Sequence, residues 1–463
     1  MRIHFIAIGG SAMHNLAIAL KQKGYTITGS DDEIFEPSRS RLEKHGLLPS
    51  MIGWFPDKIT NHLDAIVLGM HAHVDNPELV RAKELGLKIF SYPEYLYEQT
   101  KDKTRVVIGG SHGKTTITSM VMHVLKQLNV EFDYMVGAQI EGFDNMVGLL
   151  EDTKIAIFEG DEYLTSPIDP RPKFHLYKPH IAVISGIAWD HINVFPTFET
   201  YRQQFEIFIE TIEPKGHLVY YAEDPEVKKI CTSFNSNIQK IPYKTHPFRV
   251  DLEKAYLITN DKEIELKVFG NHNMQNISAA KQVCSLLGIT DTKFYKSISS
   301  FRGAAKRLQR IDKGHTTDVF IDFAHAPSKV LATVKALKES FPYRKLVACL
   351  ELHTFSSLNP KFIGEYKGTL NEADYPIVYY NPATLEHKKL PPIEPGFVKQ
   401  KFGNPKVAVF TDPKLLYNHL LKHFWDNTNL LLMSSGNFSG LNISELASII
   451  TEDDDFPRRY LDV

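Results

Sequence analysis

A glycine-rich loop between a buried strand and a helix is the feature that most constrains the fold of this chain. The loop reads Gly109-Gly110-Ser111-His112-Gly113-Lys114-Thr115-Thr116 and lies between an apolar run at 105–108 and a helical pattern at 115–128. Glycines let backbone N–H groups curl around phosphate oxygens, and the start of a helix favours negative charge. Lys114 can reach the β- and γ-phosphates of a nucleotide, and Thr115 can ligate Mg²⁺. The loop predicts a nucleotide site, although position 108 is isoleucine where the general pattern has glycine.

Short apolar runs alternate with helical patterns along the chain, which is typical of parallel α/β folds. Strands are predicted at 3–8, 24–28 and 65–68, at 105–108, 155–158 and 181–184, and at 319–321, 346–349, 377–379 and 430–433. A polar stretch at 99–104 resembles a linker, and a third unit starts near residue 312. A chain of 463 residues is long enough for about three domains. We predict domains at 1–103, 104–311 and 312–463.

Composition excludes several functional classes. A formal net charge of −2 leaves no basic excess for nucleic acid or an anionic membrane. No apolar stretch approaches the roughly 20 residues that span a bilayer, and the first apolar run is too short for a signal peptide. Three distant cysteines suit buried thiols in a reducing compartment. We expect a soluble, cytoplasmic protein. The tail Thr451–Val463 is expected to be loosely held, and the basic run 387–389 predicts a solvated face.

Polar clusters follow two further predicted strands. Glu159, Asp161 and Glu162 follow the strand at 155–158, and Asp190-His191 follows the strand at 181–184. Parallel strands bring such residues to the edge of the sheet where ligands bind. Glu159 is therefore a candidate Mg²⁺ ligand, and His191 could hold a second metal or a phosphate oxygen.

Six motifs in order resemble those of the Mur ligase family. They are the loop at 110–115, the acidic cluster at 159–162, Asp190-His191, Gly270–Ala280, Phe301–Gln309 and Asp322–Pro327. The resemblance implies a three-domain α/β architecture with a Rossmann-like UDP-binding domain, a phosphate-loop ATPase domain and a C-terminal Rossmann-like domain. It also implies ATP and Mg²⁺ as cofactors. A carboxylate is activated as an acyl-phosphate, which an amine then attacks.

The resemblance also assigns roles to residues. Catalysis falls to Lys114, Glu159, His191 and His325, and the metal to Thr115, Glu159 and His191. Nucleotide binding falls to Gly110, Ser111, His112, Gly113, Lys114, Thr115, Thr116, His272, Asn273, Asn276, Arg307 and Asp322. UDP-sugar binding falls to Gly9, Gly10, Ser11, Ala12, Met13, Ser30, Asp31 and His71. His71 fits an ordinary loop histidine equally well.

One branch of the family resembles this chain best. Its members join UDP-N-acetylmuramate to the tripeptide L-alanyl-γ-D-glutamyl-meso-diaminopimelate in peptidoglycan recycling. The resemblance to this branch lies in Asp169–Phe174 and Met433–Gly440. Phe205 occupies the place of a carbamylated lysine in several other Mur ligases, and this agrees with the two family members that use UDP-N-acetylmuramate itself. The chain departs from the family at His353, where an arginine is expected in the region that receives the carboxylates of the acceptor. It also lacks the asparagine and glutamate expected at Gly186 and Ala188, and Ala326 replaces a second histidine.

Three alternatives remain open at this stage. The first is UDP-N-acetylmuramate–L-alanine ligase, which shares the donor and most motifs. The second is a nicotinamide-dependent oxidoreductase, although Gly9–Met13 does not satisfy G-x-G-x-x-G. The third is a non-catalytic nucleotide-binding protein. Oligomeric state is not indicated by the sequence.

Overall fold

The computed structural model describes residues 1–192, 194–234, 237–251 and 254–452. The chain forms two compact units. The first contains residues 1–187, 198–244 and 276–298, and the second contains 188–197, 245–275 and the described residues from 299 onward. The predicted boundaries near 103 and 311 stay predictions. No helix in the described part of the chain is long and apolar enough to cross a membrane.

A four-stranded parallel sheet begins the first unit. Its elements are β1 (Arg2–Ile6), α1 (Ser11–Gln22), β2 (Thr26–Ser30), α2 (Ser38–Lys44), β3 (Ala65–Leu68), α3 (Pro77–Glu84), β4 (Ile89–Ser91) and α4 (Tyr92–Thr100). The strand order is β2-β1-β3-β4. Ser91 and Glu94 form a capping box that starts α4. Within the predicted linker at 99–104, α4 ends at Thr100, residues 101–103 form a turn and β5 starts at Thr104.

A seven-stranded sheet completes the first unit. Its elements are β5 (Thr104–Gly109), α5 (Lys114–Gln127), β6 (Asp133–Met135), β7 (Val147–Gly148), β8 (Ile155–Glu159), a separate hairpin of β9 (Leu164–Ser166) and β10 (Asp169–Pro172), β11 (Ile181–Ile184), α6 (Phe198–Glu210), β12 (His217–Tyr221), α7 (Pro225–Ser233) and β13 (Gln239–Tyr243). The order is β13-β12-β11-β5-β8-β6-β7, and only β6 and β7 pair antiparallel. The central strands are buried on both faces, as helices on each side require.

The chain then crosses between the units. A three-stranded antiparallel sheet of β14 (Phe248–Asp251), β15 (Lys254–Ile258) and β16 (Glu263–Leu266) belongs to the second unit. Helix α8 (Asn271–Leu286) has its first residues in the second unit and the rest in the first. Helix α9 (Asp291–Ile298) packs against α5 in the first unit.

A six-stranded sheet forms the body of the second unit. Its elements are β17 (Gln309–Lys313), β18 (Asp318–Asp322), α10 (Pro327–Ser340), β19 (Lys345–Glu351), β20 (Tyr375–Tyr379), α11 (Pro382–His387), α12 (Pro395–Phe402), β21 (Ala408–Phe410), α13 (Pro413–Leu421), β22 (Thr428–Met433) and α14 (Ile443–Glu452). The order is β17-β18-β22-β19-β20-β21, with only β17 antiparallel to its neighbour. Two apolar clusters, one on each face, sandwich the sheet. Thr451 and Glu452 end α14, and the rest of the tail predicted to be loose lies outside the described residues.

Candidate functional site

The glycine-rich loop at 109–116, called the phosphate loop below, joins β5 to α5, and its backbone requires glycine at two positions. Gly110 and Gly113 have φ angles of +126° and +71°. A Cβ at Gly110 would lie 2.3 Å from Ser185 Oγ, and one at Gly113 would lie 2.2 Å from Asn276 Oδ1. The loop is therefore closely enclosed within the first unit, and the predicted residue Asn276 lies against it. The amides at the start of α5 give this loop the geometry of an anion site.

Lys114 points to the acidic cluster that follows β8. Its Nζ donates to Glu162 Oε2 at 2.6 Å and to Gly110 O at 2.8 Å. Burial by itself lowers the pKa of Lys114, but the neighbouring carboxylates, Glu162 above all, outweigh it and raise that pKa. Lys114 is thus held as a cation beside the loop, where a phosphate oxygen could replace Glu162 as its partner.

Tyr201 extends this network in a way that the sequence did not predict. Its hydroxyl donates to Glu162 Oε1 at 3.1 Å and lies 2.8 Å from the Ser111 hydroxyl. Ser111 and Tyr201 are 90 positions apart, so no local spacing could have indicated the pair. Tyr201 fixes the carboxylate that holds Lys114.

A hydroxyl and a carboxylate meet at the start of α5. Thr115 Oγ1 donates to Glu159 Oε1 at 2.8 Å, and Gly137 N donates to Glu159 Oε2 at 2.6 Å. No group of three or more acidic, histidine or cysteine side chains suited to a metal occurs in the described residues. One carboxylate and one hydroxyl fit Mg²⁺, which takes most of its other ligands from phosphate and water.

The predicted UDP-sugar residues meet at the ends of β1 and β2. Gly9 N donates to Asp31 Oδ2 at 2.6 Å, and burial raises the pKa of Asp31 to about 6. Ser30 is buried, and its hydroxyl lies 3.5 Å from Lys58 Nζ, a cation that the sequence did not indicate. The other predicted residues of this loop are Gly10 and, opening α1, Ser11, Ala12 and Met13. His71 is exposed in the loop after β3, at the same edge of the sheet.

The second unit holds a separate group around Asp190. Asp190 Oδ1 accepts from His191 N at 2.8 Å, and Oδ2 lies 3.4 Å from Lys329 Nζ and 3.9 Å from His325 Nε2. Burial opposes ionisation of Asp190, but Lys329 and the two histidines hold its pKa below the usual range. Burial lowers the pKa of His325 to about 4, so its imidazole is neutral at pH 7. His191 belongs to this unit, and its predicted metal role stays a prediction.

Asp322 ends β18 as the resemblance predicts. Its two oxygens accept from Leu308 N at 2.5 Å and Ala324 N at 2.6 Å, and burial raises its pKa to about 6. Arg307 lies 4.7 Å from the centroid of the Phe323 ring. These contacts place Arg307 and Asp322 on adjoining segments of the second unit.

The remaining predicted nucleotide residues fall into both units. Asn273 Nδ2 donates to Phe269 O at 2.8 Å in the second unit. Burial lowers the pKa of His272, next to it in the chain, to about 4. Thr116 is buried in the first turn of α5, and the His112 ring lies against Gly186 in the first unit. Their predicted role in binding nucleotide stays a prediction.

Comparison with known proteins gives consistent matches over most of the chain. The pattern of the Mur ligase family catalytic domain matches residues 2–104, and that of the Mur ligase middle domain matches residues 108–284. UDP-N-acetylmuramate–L-alanine ligase of Caldicellulosiruptor bescii is 32% identical over 390 residues, covering 81% of this chain and 82% of the relative. The UDP-N-acetylmuramate–L-alanyl-γ-D-glutamyl-meso-2,6-diaminoheptandioate ligase of Haemophilus influenzae is 29% identical over 353 residues, covering 73% and 76%.

A solved structure shows the same fold. The murein peptide ligase of Psychrobacter arcticus superimposes with a TM-score of 0.68 at 21% identity, covering 97% of this chain and 99% of that one. The predicted three-domain α/β fold is confirmed by this likeness together with the two matched domain patterns. The chain belongs to the Mur ligase family, whose members are ATP-dependent ligases that form amide bonds.

Proposed function

We propose that this ligase joins UDP-N-acetylmuramate to L-alanyl-γ-D-glutamyl-meso-diaminopimelate in peptidoglycan recycling, with ATP and Mg²⁺. Family membership leaves no support for the oxidoreductase or the non-catalytic alternative. The choice of donor and acceptor is the part that needs a test.

The observation that carries the proposal is the position of Lys173. The stretch Asp169–Phe174 supplied the resemblance to the tripeptide-ligase branch, and Lys173 Nζ donates to Asp161 Oδ2 at 2.6 Å. Asp161 stands between Glu159 and Glu162 in the chain, so this stretch is tied to the acidic cluster beside the phosphate loop. Arg171 folds back on Asp169 of the same strand with a bidentate contact of 2.7–3.1 Å.

Phe205 supports UDP-N-acetylmuramate itself as the donor. Its side chain is fully buried, and its ring lies 5.3 Å from Tyr201 and 5.5 Å from Phe174. A carbamylated lysine would place a charge among aromatic rings there, at a high desolvation cost. The packing around Phe205 therefore leaves no place for the carbamylated lysine that several other Mur ligases carry.

Activation of the donor needs charge neutralisation and alignment of the γ-phosphate rather than covalent help from the protein. Lys114 would leave Glu162 and bind the transferred phosphoryl group, while Tyr201 keeps Glu162 in place. Thr115 and Glu159 would hold Mg²⁺, which lowers the negative charge repelling the donor carboxylate. The acyl-phosphate formed has phosphate as a good leaving group, so a neutral amine can displace it.

His325 is the proposed base for that amine or a group that positions the nucleotide. Its Nδ1 lies 2.8 Å from Phe323 O, which favours the proton on Nδ1 and leaves the Nε2 lone pair available. A pKa of about 4 makes it a weak base, so the structure favours a positioning role.

A second candidate function is ligation of L-alanine, because the relative with 32% identity has that activity in its name. Phosphate release separates the two candidates. Purified protein is supplied with ATP, Mg²⁺ and UDP-N-acetylmuramate, and then with either tripeptide or L-alanine. We expect kcat/KM for the tripeptide to exceed that for L-alanine by at least about 100-fold, a free-energy difference of about 2.7 kcal/mol. Preference for L-alanine would reject the proposal and select the second candidate.

A further inference from the structure

The sequence predicts that the basic run at 387–389 is a solvated face, but in the structure only part of this run is exposed. His387 and Lys389 are exposed, but Lys388 is partly buried where α11 ends. Its Nζ lies 4.5 Å from the centroid of the Phe355 ring, and that ring is 42% exposed. One lysine of the run therefore turns back onto the second unit.

In the described part of the chain, Lys388 lacks an acidic partner. Among the residues that the structure describes, no carboxylate lies within ion-pair distance of its Nζ. Burial lowers the pKa of Lys388. A cation that is partly withdrawn from water and unpaired favours binding an anion from solution.

The surroundings of Lys388 lie at the ligand-binding edge of the six-stranded sheet. Glu351 ends β19, and its Oε2 accepts from Phe438 N at 2.9 Å and from the Ser434 hydroxyl. His353 Nδ1 lies 3.9 Å from Glu351 Oε1. Carboxyl ends of parallel strands are where α/β sheets bind ligands. Glu351 is satisfied by its own unit, which leaves the positive charge of Lys388 for a ligand.

His353 is the position at which this chain lacks the arginine expected to bind carboxylates of the acceptor. Burial lowers the pKa of its imidazole, and although Glu351 acts to raise that pKa and Lys388 to lower it, the net shift is downward. A neutral imidazole is a much weaker partner for a carboxylate than a guanidinium. The chain needs a cation from another segment, and Lys388 lies 35 positions further along.

We propose that Lys388 binds a carboxylate of the acceptor in place of the missing arginine, with its ammonium group supported on the Phe355 ring. The inference rests on the proposed function in requiring an amino acid or peptide as the acceptor, and it holds for the tripeptide and for L-alanine.

Acceptors that differ by one group test this role. Rates of phosphate release are measured at saturating ATP and UDP-N-acetylmuramate with the tripeptide and with forms in which each carboxylate in turn is a carboxamide. L-alanine and L-alaninamide form the parallel pair. The proteins are wild type, Lys388→Gln, Lys388→Arg and the exposed neighbour Lys389→Gln as a matched control.

Wild type and Lys389→Gln should prefer the carboxylate at one position by roughly 10- to 100-fold in kcat/KM, the range of a charge-assisted hydrogen bond. Lys388→Gln should bring that ratio near one with an unchanged KM for ATP, which also shows that the variant is folded. Lys388→Arg should restore most of the preference. An undiminished preference in Lys388→Gln would overturn the inference. Wild-type turnover of L-alanine rather than tripeptide would reject only the proposed acceptor, because the L-alanine pair still measures Lys388.

Discussion

Lys114 Nζ and Glu162 Oε2 form a buried ion pair of 2.6 Å, and the lysine side chain is 13% exposed. The pair keeps Lys114 charged beside the loop, where the proposed function would have it exchange Glu162 for a phosphate oxygen. Because Tyr201 also holds Glu162, the carboxylate stays fixed when Lys114 changes partner. The acidic cluster thus keeps Lys114 protonated and also holds its ammonium group in place.

Removal of the Lys114 cation should abolish ATP turnover. In Lys114→Ala the lysine cation no longer neutralises the negative charge on the transferred phosphoryl group, so we expect kcat to fall by at least about 10³-fold. Lys101→Ala, which removes a lysine that is 52% exposed, should leave kcat unchanged. Initial rates of ADP formation measure both variants, with circular dichroism to confirm folding. Retained turnover in Lys114→Ala would reject the assignment of the loop.

The hydroxyl of Thr115 should set the requirement for Mg²⁺ together with Glu159. Thr115→Val loses the oxygen that bonds Glu159, whereas Thr115→Ser keeps it. We expect Thr115→Val to raise the Mg²⁺ concentration for half-maximal rate roughly tenfold or more, and Thr115→Ser to change it little. Titration of activity with MgCl₂ at fixed ATP makes the comparison. Equal metal requirements in the two variants would show that the hydroxyl takes no part.

Much of the candidate site could be predicted because it depends on local order along the chain. Glycine spacing gave the loop, and the rule that parallel strands end at one edge placed Glu159 beside Thr115. Asp31 was instead assigned by the family resemblance, and its carboxylate accepts a hydrogen bond from Gly9 N just after β2. The fold class followed from the alternation of apolar runs and helices, which sets the sheet before any contact is known.

Contacts between distant segments could not be predicted. The hydrogen bond of Tyr201 to Glu162 depends on how α6 packs, and periodicity carries no information on that packing. The basic run 387–389 predicts a solvated face, yet the ammonium group of Lys388 lies over the ring of Phe355, which comes from another segment. A single sequence gives the residue types along the chain but not the contacts between distant segments. Those contacts depend on how the core packs.

Gly113 and Gly288 both have a positive φ angle, but alanine should have different effects at the two positions. A Cβ added at Gly113 would clash with Asn276, whereas a Cβ added at Gly288 would have no other atom within 4 Å. Both alanines carry backbone strain of about 1 kcal/mol or more. Only Gly113→Ala should also distort the loop, so we expect its KM for ATP to rise at least tenfold and that of Gly288→Ala to stay unchanged. Steady-state kinetics and thermal unfolding of both variants separate loop distortion from backbone strain. Equal KM values for ATP in the two variants would contradict the predicted distortion of the loop.

Burial of His325 should make the second unit less stable as pH falls. Its pKa is about 4 in the folded protein and about 6.5 when unfolded, so the unfolded chain binds the extra proton between these values. The contribution of His325 to stability is complete above about pH 6.5 and is lost as pH falls toward 4. The difference corresponds to at most about 3 kcal/mol in the free energy of unfolding.

His325→Gln removes this titration, so its free energy of unfolding should depend less on pH between 4.5 and 7 than that of its parent, with the gap confined to that window. Urea unfolding is followed by fluorescence in a Trp54→Phe background, because the remaining tryptophans, Trp189 and Trp425, both belong to the second unit. Glutamine keeps a polar group of similar size, so a change in slope isolates the proton. Parallel slopes for the two proteins would mean that His325 titrates alike in the folded and unfolded chain, and that burial does not keep its imidazole neutral.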